Sequence, residues 1–367
     1  MQAPLALRVF ALEAAFLSLI RGEQRGVGAM AMRFGLRLAS WPYGLAVWLR
    51  NRAFDRGWKK SRRVGVPVVS IGNLTTGGTG KTPCVEFVAR YFRDVLDLQT
   101  TILSRGYGSE EGRNDEAMVL EENCPDVPHL QGPDRVALAQ TAIEELESEV
   151  LLLDDGFQHR RLARDVDLVL IDATNPWGHG SLLPRGLLRE SPRELKRAHA
   201  ALITRCDLAD ASVVSEIRSR IQKLAPNLPI AESTHRPDVW VGEGGKTTPL
   251  ETLQGRPVAG FCGIGNPDAF RETLRKLGIE PIAWRTYADH HRYLRDDIEE
   301  LRRWARELPP EAVLVTTQKD LVKIRLERLG DRELWALKIR LDVHAGREEL
   351  ERLLRDTAMR RESSRST

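Results

Sequence analysis

The chain of 367 residues has few cysteines, and no two of the four form a CxxC pair. This argues against a disulfide framework and against a structural zinc site, and it fits a reducing compartment. No uncharged apolar run reaches the about 18 residues that a membrane-spanning helix needs. The composition, 42 % hydrophobic and 29 % charged, excludes collagen-like, coiled-coil and wholly disordered proteins, and the length suggests two domains or three.

Acidic residues are scarce at the amino-terminal end. Residues 1–65 hold 12 lysines and arginines against three acidic residues, and the rest of the chain is mildly acidic. The segment is also apolar and aromatic, with Phe34, Trp41, Tyr43 and Trp48 near its basic side chains. This profile is typical of helices that lie in a membrane interface, although helices packed on the protein core are the alternative. We therefore predict that residues 1–65 form amphipathic, basic helices that associate with a membrane.

Short apolar runs alternate with helical patterns from Val66 onward. This alternation predicts an α/β fold with a mostly parallel sheet and helices on both faces. The predicted strands are 66–73, 100–106, 149–155, 166–172, 199–205, 257–264, 281–288, 312–318 and 333–341.

Composition also predicts how the chain divides into domains. The region rich in Gly, Thr and Pro after residue 230 reads as a linker, and the last residues are polar. We predict a core domain at 66–230, a linker at 231–255, a smaller α/β domain at 256–355 that closes over the active site, and a disordered tail at 356–367.

A glycine-rich segment, Gly72–Thr82, follows the first predicted strand and opens a helix. Glycines let successive N–H groups face a phosphate, and the helix N-terminus adds its positive dipole end. Lys81 would reach the β- and γ-phosphates of a nucleotide, and the Thr82 hydroxyl would hold Mg²⁺. Thr75 stands where such loops usually have their first glycine. The predicted nucleotide-binding residues, which the family resemblance described below assigns to ATP, are Thr75, Thr76, Gly77, Gly78, Thr79, Gly80, Lys81 and Thr82.

Two carboxylates, Asp154 and Asp155, end the apolar strand 149–155. In phosphate-loop proteins an acid at such a strand end completes the Mg²⁺ shell, and a cation relieves the repulsion between two acids. We therefore predict that one or both bind metal. Asp115 and Glu116 read by themselves as solvated loop acids. The run from Asp289 to His291 could be a base, a phosphate contact or half of a metal site.

Taken together, these motifs resemble those of the tetraacyldisaccharide 4′-kinases, the lipid A kinases of Gram-negative bacteria. Two positions depart from the family pattern: Asn114 replaces a glycine before Asp115, and Gln318 replaces an acid before Lys319. The motifs that carry the resemblance are 49–55, 72–82, 104–108, 115–116, 134–135, 154–159, 183–190, 261–267, 289–291 and 316–320.

The resemblance implies a phosphate-loop kinase fold and a reaction. The enzyme would use ATP and Mg²⁺ to phosphorylate the 4′-hydroxyl of a tetraacyldisaccharide 1-phosphate, giving lipid IVA, at the cytoplasmic face of the inner membrane. It implies that Asp115 is the catalytic carboxylate and His290 its partner, with Lys81 neutralising the transferred phosphate. If the segment is extended, His291 points away from that site. Arg guanidinium groups match phosphate oxygens; the predicted substrate or phosphate contacts are Arg105, Tyr107, Glu116, Arg135, Gln158, His159 and Arg189.

Two other functions remain open on the residues alone. A membrane-recruited ATPase or GTPase switch without a lipid acceptor would use the same loop and the same acids. The sequence has no guanine-reading Asn/Thr-Lys-x-Asp motif, however, and residues 317–320 match this motif only in part. A kinase of a soluble sugar would leave the apolar amino-terminal segment unexplained. We expect a lipid substrate and a membrane surface as partners, and neither a nucleic acid nor an obligate protein partner.

Overall fold

The computed structural model describes residues 15–106 and 115–365, with side chains as far as residue 359. Its strands are β1 (Val68–Asn73), β2 (Thr100–Ser104), β3 (His129–Gln131), β4 (Val150–Asp154), β5 (Val166–Asp172), β6 (Ala200–Thr204), β7 (Ile230–Val241), β8 (Thr247–Thr248), β9 (Val258–Cys262), β10 (Ala283–Thr286), β11 (Val313–Thr317), β12 (Arg328–Leu329) and β13 (Arg332–Ala345). The nine predicted strands are present within a few residues of their expected bounds, and the structure adds four that the apolar runs did not predict, β3, β7, β8 and β12.

Helices alternate with these strands. Residues 15–21 are helical, and a π-helical turn, Tyr91–Val95, directly follows the helix Lys81–Arg90. The helices are α1 (Val27–Asp55), α2 (Lys81–Arg90), α3 (Asp115–Asn123), α4 (Arg135–Glu145), α5 (Ala211–Leu224), α6 (Pro267–Lys276), α7 (Arg295–Glu307), α8 (Gln318–Ile324) and α9 (Arg347–Arg365).

The first of two compact units consists of the described parts of Met1–Arg105, Leu130–Thr234 and Val343–Thr367. Its strands have the order β7-β6-β5-β1-β4-β2-β3, and the pairs from β7 to β2 are parallel. The central strands β1, β4 and β5 are buried along their whole length. Ile71 of β1 lies opposite Asp154 of β4. The carboxyl ends of both strands therefore meet at one edge, where open α/β sheets bind their ligands.

The second unit consists of the described parts of Gly106–His129 and His235–Asp342. Its parallel strands have the order β10-β9-β11-β13, and the aromatic rings of Phe261 and Trp304 pack edge to face at 6.4 Å in its core. The predicted α/β class with mostly parallel strands is confirmed.

The units depart from the predicted domain bounds at two places. The segment 106–129, expected in the core domain, belongs to the second unit because α3 pairs with α8 through amide hydrogen bonds between Asn123 and Gln318. Residues 343–355, expected in the smaller domain, belong to the first unit. There the Tyr91 hydroxyl donates a hydrogen bond to the carbonyl of Glu351 in α9.

The segments predicted as a linker, 231–255, and as a disordered tail, 356–367, contain regular secondary structure. Most of 231–241 continues β7, which pairs in parallel with β6 and buries Ser233 and Trp240. Its sequence is polar because part of each face is only half-buried, and that concealed the strand. Within 356–367, α9 continues to Arg365; Leu350 and Leu354 anchor the earlier turns of this helix.

Helix α1 carries apolar side chains on its exposed surface. Trp41 is 76 % exposed, although a side chain of this size is usually buried. No helix in the described part of the chain is both long and apolar enough to cross a membrane. The exposed large apolar residues of α1 are Val27, Met30, Met32, Phe34, Leu38, Trp41, Leu45, Trp48 and Leu49.

Candidate active site

The glycine-rich loop joins β1 to α2 in the first unit, as the sequence predicts. Gly80 has φ +83° directly before Lys81, a left-handed conformation that glycine adopts without strain. The Asn73 amide donates to the Thr79 hydroxyl at 2.8 Å, and the Thr204 hydroxyl donates to the Thr79 carbonyl at 2.9 Å. The loop is therefore held in shape by protein groups before any phosphate binds.

The segment beside the loop shows why a threonine can stand at position 75, where such loops usually have glycine. Thr75 pairs with Leu188 in an antiparallel bridge, a conformation that β-branched residues adopt readily. The Thr76 N–H donates to the Leu187 carbonyl at 2.8 Å, and the Arg189 N–H donates to the Leu74 carbonyl at 2.7 Å. The first turn of the loop is thus extended and hydrogen-bonded, so it does not need the usual glycine.

Lys81, Asp155 and Arg189 form a charged cluster beside the loop. Both terminal nitrogens of Arg189 donate to the Asp155 carboxylate, at 2.7 and 2.8 Å, and Lys81 Nζ lies 3.8 Å from Asp155 Oδ1. Burial opposes ionisation of Asp155, but Arg189 and Lys81 outweigh it and hold the pKa of that carboxyl well below its ordinary value. Arg189 also donates to the carbonyl and the amide oxygen of Asn73, a residue that the sequence analysis did not single out.

Arg135, His159 and Gln158 form a second polar group in the same unit. Arg135 Nη1 lies 3.2 Å from His159 Nδ1, and Gln158 donates to the Asn73 carbonyl at 2.9 Å. Burial, followed by the Arg135 charge, lowers the pKa of His159 to about 4, so the neutral ring accepts a hydrogen bond from Arg135. Within the described residues, Arg135 Nε and His159 Nε2 are buried without a hydrogen-bond partner, as expected of groups that wait for a polar ligand.

Arg105 and Tyr107 were also predicted to contact the substrate or a phosphate. Arg105 is exposed just after β2, and its charge is among those that lower the pKa of Arg135, after the larger effect of burial. Tyr107 lies outside the described residues.

In the second unit, Asp115 and His290 meet although 175 positions separate them in the chain. His290 Nδ1 lies 2.9 and 3.0 Å from the two carboxylate oxygens of Asp115. Asp115 is buried at the start of α3, and the His290 side chain is 58 % exposed. Burial opposes ionisation of Asp115, but its hydrogen bond to His290 and two lysines lower its pKa to about 2. The same hydrogen bond raises the pKa of His290 above its ordinary 6.5.

Lysines of α8 surround this pair and were not predicted to belong to the site. Lys319 and Lys323 lie four residues apart, on one face of the helix. Lys319 Nζ contacts Glu116 at 2.6 Å, and Lys323 Nζ lies 3.7 Å from Asp115 and 3.3 Å from Asp320. Glu116 is therefore paired with a protein cation in this structure.

Asp320 is a fully buried carboxylate that joins three of the motifs. It accepts hydrogen bonds from the Gly263 N–H at 3.1 and 3.2 Å, from the Tyr293 hydroxyl at 3.1 Å and from the Thr317 hydroxyl at 2.7 Å. Asp320 thus fixes the loop after β9, the segment that carries His290 and the start of α8. The motif 316–320 signalled this residue, but only the fold shows that it organises the others.

The segment at His290 is a turn and not the extended chain that the sequence analysis assumed. His290 has φ +56°, so the alternation of side chains along a strand does not apply. His291 stacks on the Tyr287 ring at a centroid distance of 4.7 Å, and its Nε2 lies 3.2 Å from Asp297. His291 is therefore a packing residue, as expected, but because of the turn and not because side chains alternate along a strand.

Segment 182–190 holds α1 in place as well as the loop. The Ser40 hydroxyl donates to the Leu182 carbonyl, and the Tyr43 hydroxyl donates to the Arg189 carbonyl, both at 3.0 Å. The fully buried Glu190 accepts hydrogen bonds from Arg50 of α1 and from Arg197. The motif 49–55 is therefore a structural anchor for α1.

Comparison with known proteins gives a consistent result. The family model described as tetraacyldisaccharide-1-P 4′-kinase matches residues 32–358. A tetraacyldisaccharide 4′-kinase of Syntrophus aciditrophicus (strain SB) is 39 % identical over 315 residues, which cover 78 % of this chain and 83 % of the relative. One of Anaeromyxobacter sp. (strain Fw109-5) is 36 % identical over 358 residues, 93 % of this chain and 95 % of the relative.

A solved structure is similar over nearly its whole length. The crystal structure of LpxK from Aquifex aeolicus in complex with ATP superposes with a TM-score of 0.71 at 28 % identity, covering 89 % of this chain and 99 % of that chain. These similarities are consistent with the glycine-rich loop and with the pair of Asp115 and His290. The chain belongs to the tetraacyldisaccharide 4′-kinase family.

Proposed function

We propose that this chain transfers the γ-phosphate of ATP to the 4′-hydroxyl of an acylated disaccharide 1-phosphate, giving lipid IVA. The observation that carries this proposal is the contact between Asp115 and His290. A nucleotide-hydrolysing switch needs a phosphate loop, but it has no need for a separate proton-accepting pair in another unit. The relatives named as 4′-kinases support the choice of acceptor.

On the nucleotide side, the loop amides and Lys81 neutralise charge on the β- and γ-phosphates. Phosphoryl transfer depends mostly on positioning and on such neutralisation, because little covalent chemistry falls to the protein. Lys81 Nζ lies at 3.8 Å from Asp155, a distance longer than a hydrogen bond, which leaves its protons available to a phosphate. Arg189 keeps Asp155 paired when Lys81 turns to the nucleotide.

On the acceptor side, the pair of Asp115 and His290 takes the proton of the sugar hydroxyl. A carboxyl group with a pKa of about 2 is a weak base by itself. Its contact with His290 Nδ1 makes the two groups titrate together. The ring is exposed, so its Nε2 can receive a proton from the sugar hydroxyl. We assign the proton to the pair and not to either atom alone.

Mg²⁺ is the metal that this donor set fits. Thr82 offers a buried hydroxyl at the start of α2, and Asp154 and Asp155 offer carboxylates at the end of β4, next to β1. Such hard oxygen donors suit Mg²⁺, which would neutralise the phosphates of ATP. Arg189 already binds Asp155 through two hydrogen bonds, which favours Asp154 and Thr82 as direct ligands.

The location proposed for the enzyme is the cytoplasmic face of the inner membrane, with α1 lying in the interface. The exposed apolar side chains of α1 support it, and so do its arginines, because interfacial helices combine apolar burial with attraction to anionic lipids. A multiply acylated substrate would stay in that membrane.

Transfer of radiolabelled γ-phosphate, measured with and without the disaccharide lipid, tests the proposal. We expect label in the lipid and very slow ATP hydrolysis in its absence. Fast hydrolysis without lipid, and no labelled lipid, would support the switch instead. Even the partial match at 317–320 is not available for reading guanine: Lys319 pairs with Glu116, and Asp320 is buried against Gly263 and Tyr293.

A further inference from the structure

Three side chains suited to a transition metal meet in the first unit, and none of them belongs to the glycine-rich loop or to the charged groups beside it. Cys206 Sγ, one Glu232 carboxylate oxygen and one His344 ring nitrogen all lie within 4.8 Å of one another. They come from the turn after β6, from β7 and from the end of β13. Because these positions are far apart in the chain, no ligand spacing in the sequence shows them together.

Strand pairing explains how the three are brought together. Ile203 of β6 lies opposite Glu232 of β7, and Arg205 then adopts φ +57° and turns the chain back so that Cys206 lies over its own strand end. The Cys206 thiol contacts the Ile203 carbonyl at 3.5 Å. On the other side, Gly346 approaches β7 so closely that a Cβ at this position would lie 2.7 Å from the Ile230 carbonyl. His344 is thereby held near Glu232.

The two oxygens of Glu232 have different partners. Arg218 Nε and Nη2 both donate to Oε1, with Nε at 3.1 Å. Oε2 faces His344 Nε2 at 3.6 Å. Arg218 therefore fixes the carboxylate in one orientation and leaves Oε2 directed at His344, as outer partners of metal ligands commonly do.

We propose that Cys206, Glu232 and His344 bind Zn²⁺ or a similar transition-metal ion. Thiolate, imidazole and carboxylate are the ligands of protein zinc sites, with bonds of about 2.0–2.3 Å. A tetrahedral ion with such bonds separates its ligand atoms by roughly 3.4–3.6 Å. The 3.6 Å between Glu232 and His344 matches this separation, and the sulfur needs to move by about 1.4 Å at most.

A water molecule would complete the shell from the solvent side, since the His344 side chain is 41 % exposed. Binding would break the S–H bond of Cys206 and release its proton to solvent, because the thiolate is the ligand. Burial, with a smaller effect of the Glu232 charge, raises the pKa of this thiol to about 11, and the Ser233 N–H acts in the opposite direction by stabilising the thiolate. The bound ion would tie the ends of β6 and β13 to β7.

Titration of the full chain with Co²⁺, after removal of any affinity tag and with Mg²⁺ in excess, tests the site. Cobalt bound to a thiolate gives a charge-transfer absorption that Mg²⁺ sites and histidine alone do not give. We expect one equivalent of Co²⁺, displaced by one equivalent of Zn²⁺, and a higher melting temperature with Zn²⁺.

Cys206→Ser and His344→Gln are the test variants, and Glu333→Gln on β13 is a matched surface control. Loss of a true ligand should weaken binding by more than the about 10–100-fold that loss of an outer partner costs. His344 is exposed, so its variant should fold even if Cys206→Ser does not. The proposal is overturned if wild type gives no charge-transfer band, or if His344→Gln binds cobalt as wild type does.

Discussion

Replacing Asp115 by Asn tests the proton-accepting pair, because it keeps the shape of the side chain and removes its charge. The pKa of about 2, against an ordinary 3.8, means that the surroundings favour the carboxylate by about 2 kcal/mol. His290 contributes the largest attractive part of that preference, and the carboxylate in turn raises the pKa of His290. The two effects are reciprocal and must disappear together.

The sign of the pH effect follows from the direction of the His290 pKa. While the ring is protonated, the pair cannot accept the sugar proton, so kcat/KM should fall as the pH falls through the raised pKa of His290. Without the Asp115 charge, His290 loses its proton at a lower pH. Asp115→Asn should therefore lower kcat by about 10²–10⁴-fold and also move the acidic limb of the profile to lower pH.

The assay is the initial rate of lipid phosphorylation across a pH series, together with ATP affinity at one pH. His290→Ala should cause a similar loss of kcat and abolish the acidic limb, and the double variant should be little worse than either single variant. His291→Gln is the matched control, since His291 packs on Tyr287 and does not touch Asp115. An acidic limb that stays in place in Asp115→Asn, or a His290→Ala enzyme with normal kcat, would refute the pair.

Three further predictions concern the other parts of the molecule. Lys81→Ala should reduce kcat/KM by about 10³-fold with an unchanged melting temperature, since Arg189 still pairs Asp155; normal turnover would reject the loop as the ATP site. Changing Trp41 and Trp48 to Ser should shift the protein from membrane to soluble fractions, and high salt should release wild type only partly, because apolar burial survives screening. Complete release of wild type by salt would contradict this. Asp320→Asn should destabilise the fold by about 3 kcal/mol, measured as a lower urea midpoint, because it removes the charge that lies 3.3 Å from Lys323 Nζ and leaves an amide NH2 group facing N–H and O–H donors; an unchanged midpoint would show that these contacts contribute little.

The placement of the glycine-rich loop and of the acids at the end of β4 was largely predictable from sequence because the signals are local. A strand, a glycine-rich turn and Lys81 lie within one short stretch, and an acid at the end of an apolar strand must lie near a neighbouring parallel strand end. The sequence could not show that Asp155, the second of the two acids, forms an ion pair with an arginine. Arg189 reaches Asp155 from 34 positions away, and only the fold brings them together.

The acceptor side was predictable only through the family resemblance. Asp115 begins a helix and is buried instead of lying in a solvated loop, and the lysines near it belong to α8, about 200 positions later. Polarity concealed β7, since a strand with half-buried faces has no clear alternation. Errors of this kind arise where distant pairing, and not local composition, decides the structure.

Segment 182–190 connects α1 to the glycine-rich loop. The same few residues accept hydrogen bonds from Ser40 and Tyr43 of α1 and give the phosphate loop its extended first turn. Glu190 adds a fully buried charge that only Arg50 and Arg197 neutralise by direct ion pairs in the described part of the chain. Because an unpaired buried carboxylate is costly, detaching α1 would disturb the segment that shapes the loop. The position of α1 and the form of the nucleotide site are therefore energetically linked through one short stretch of chain.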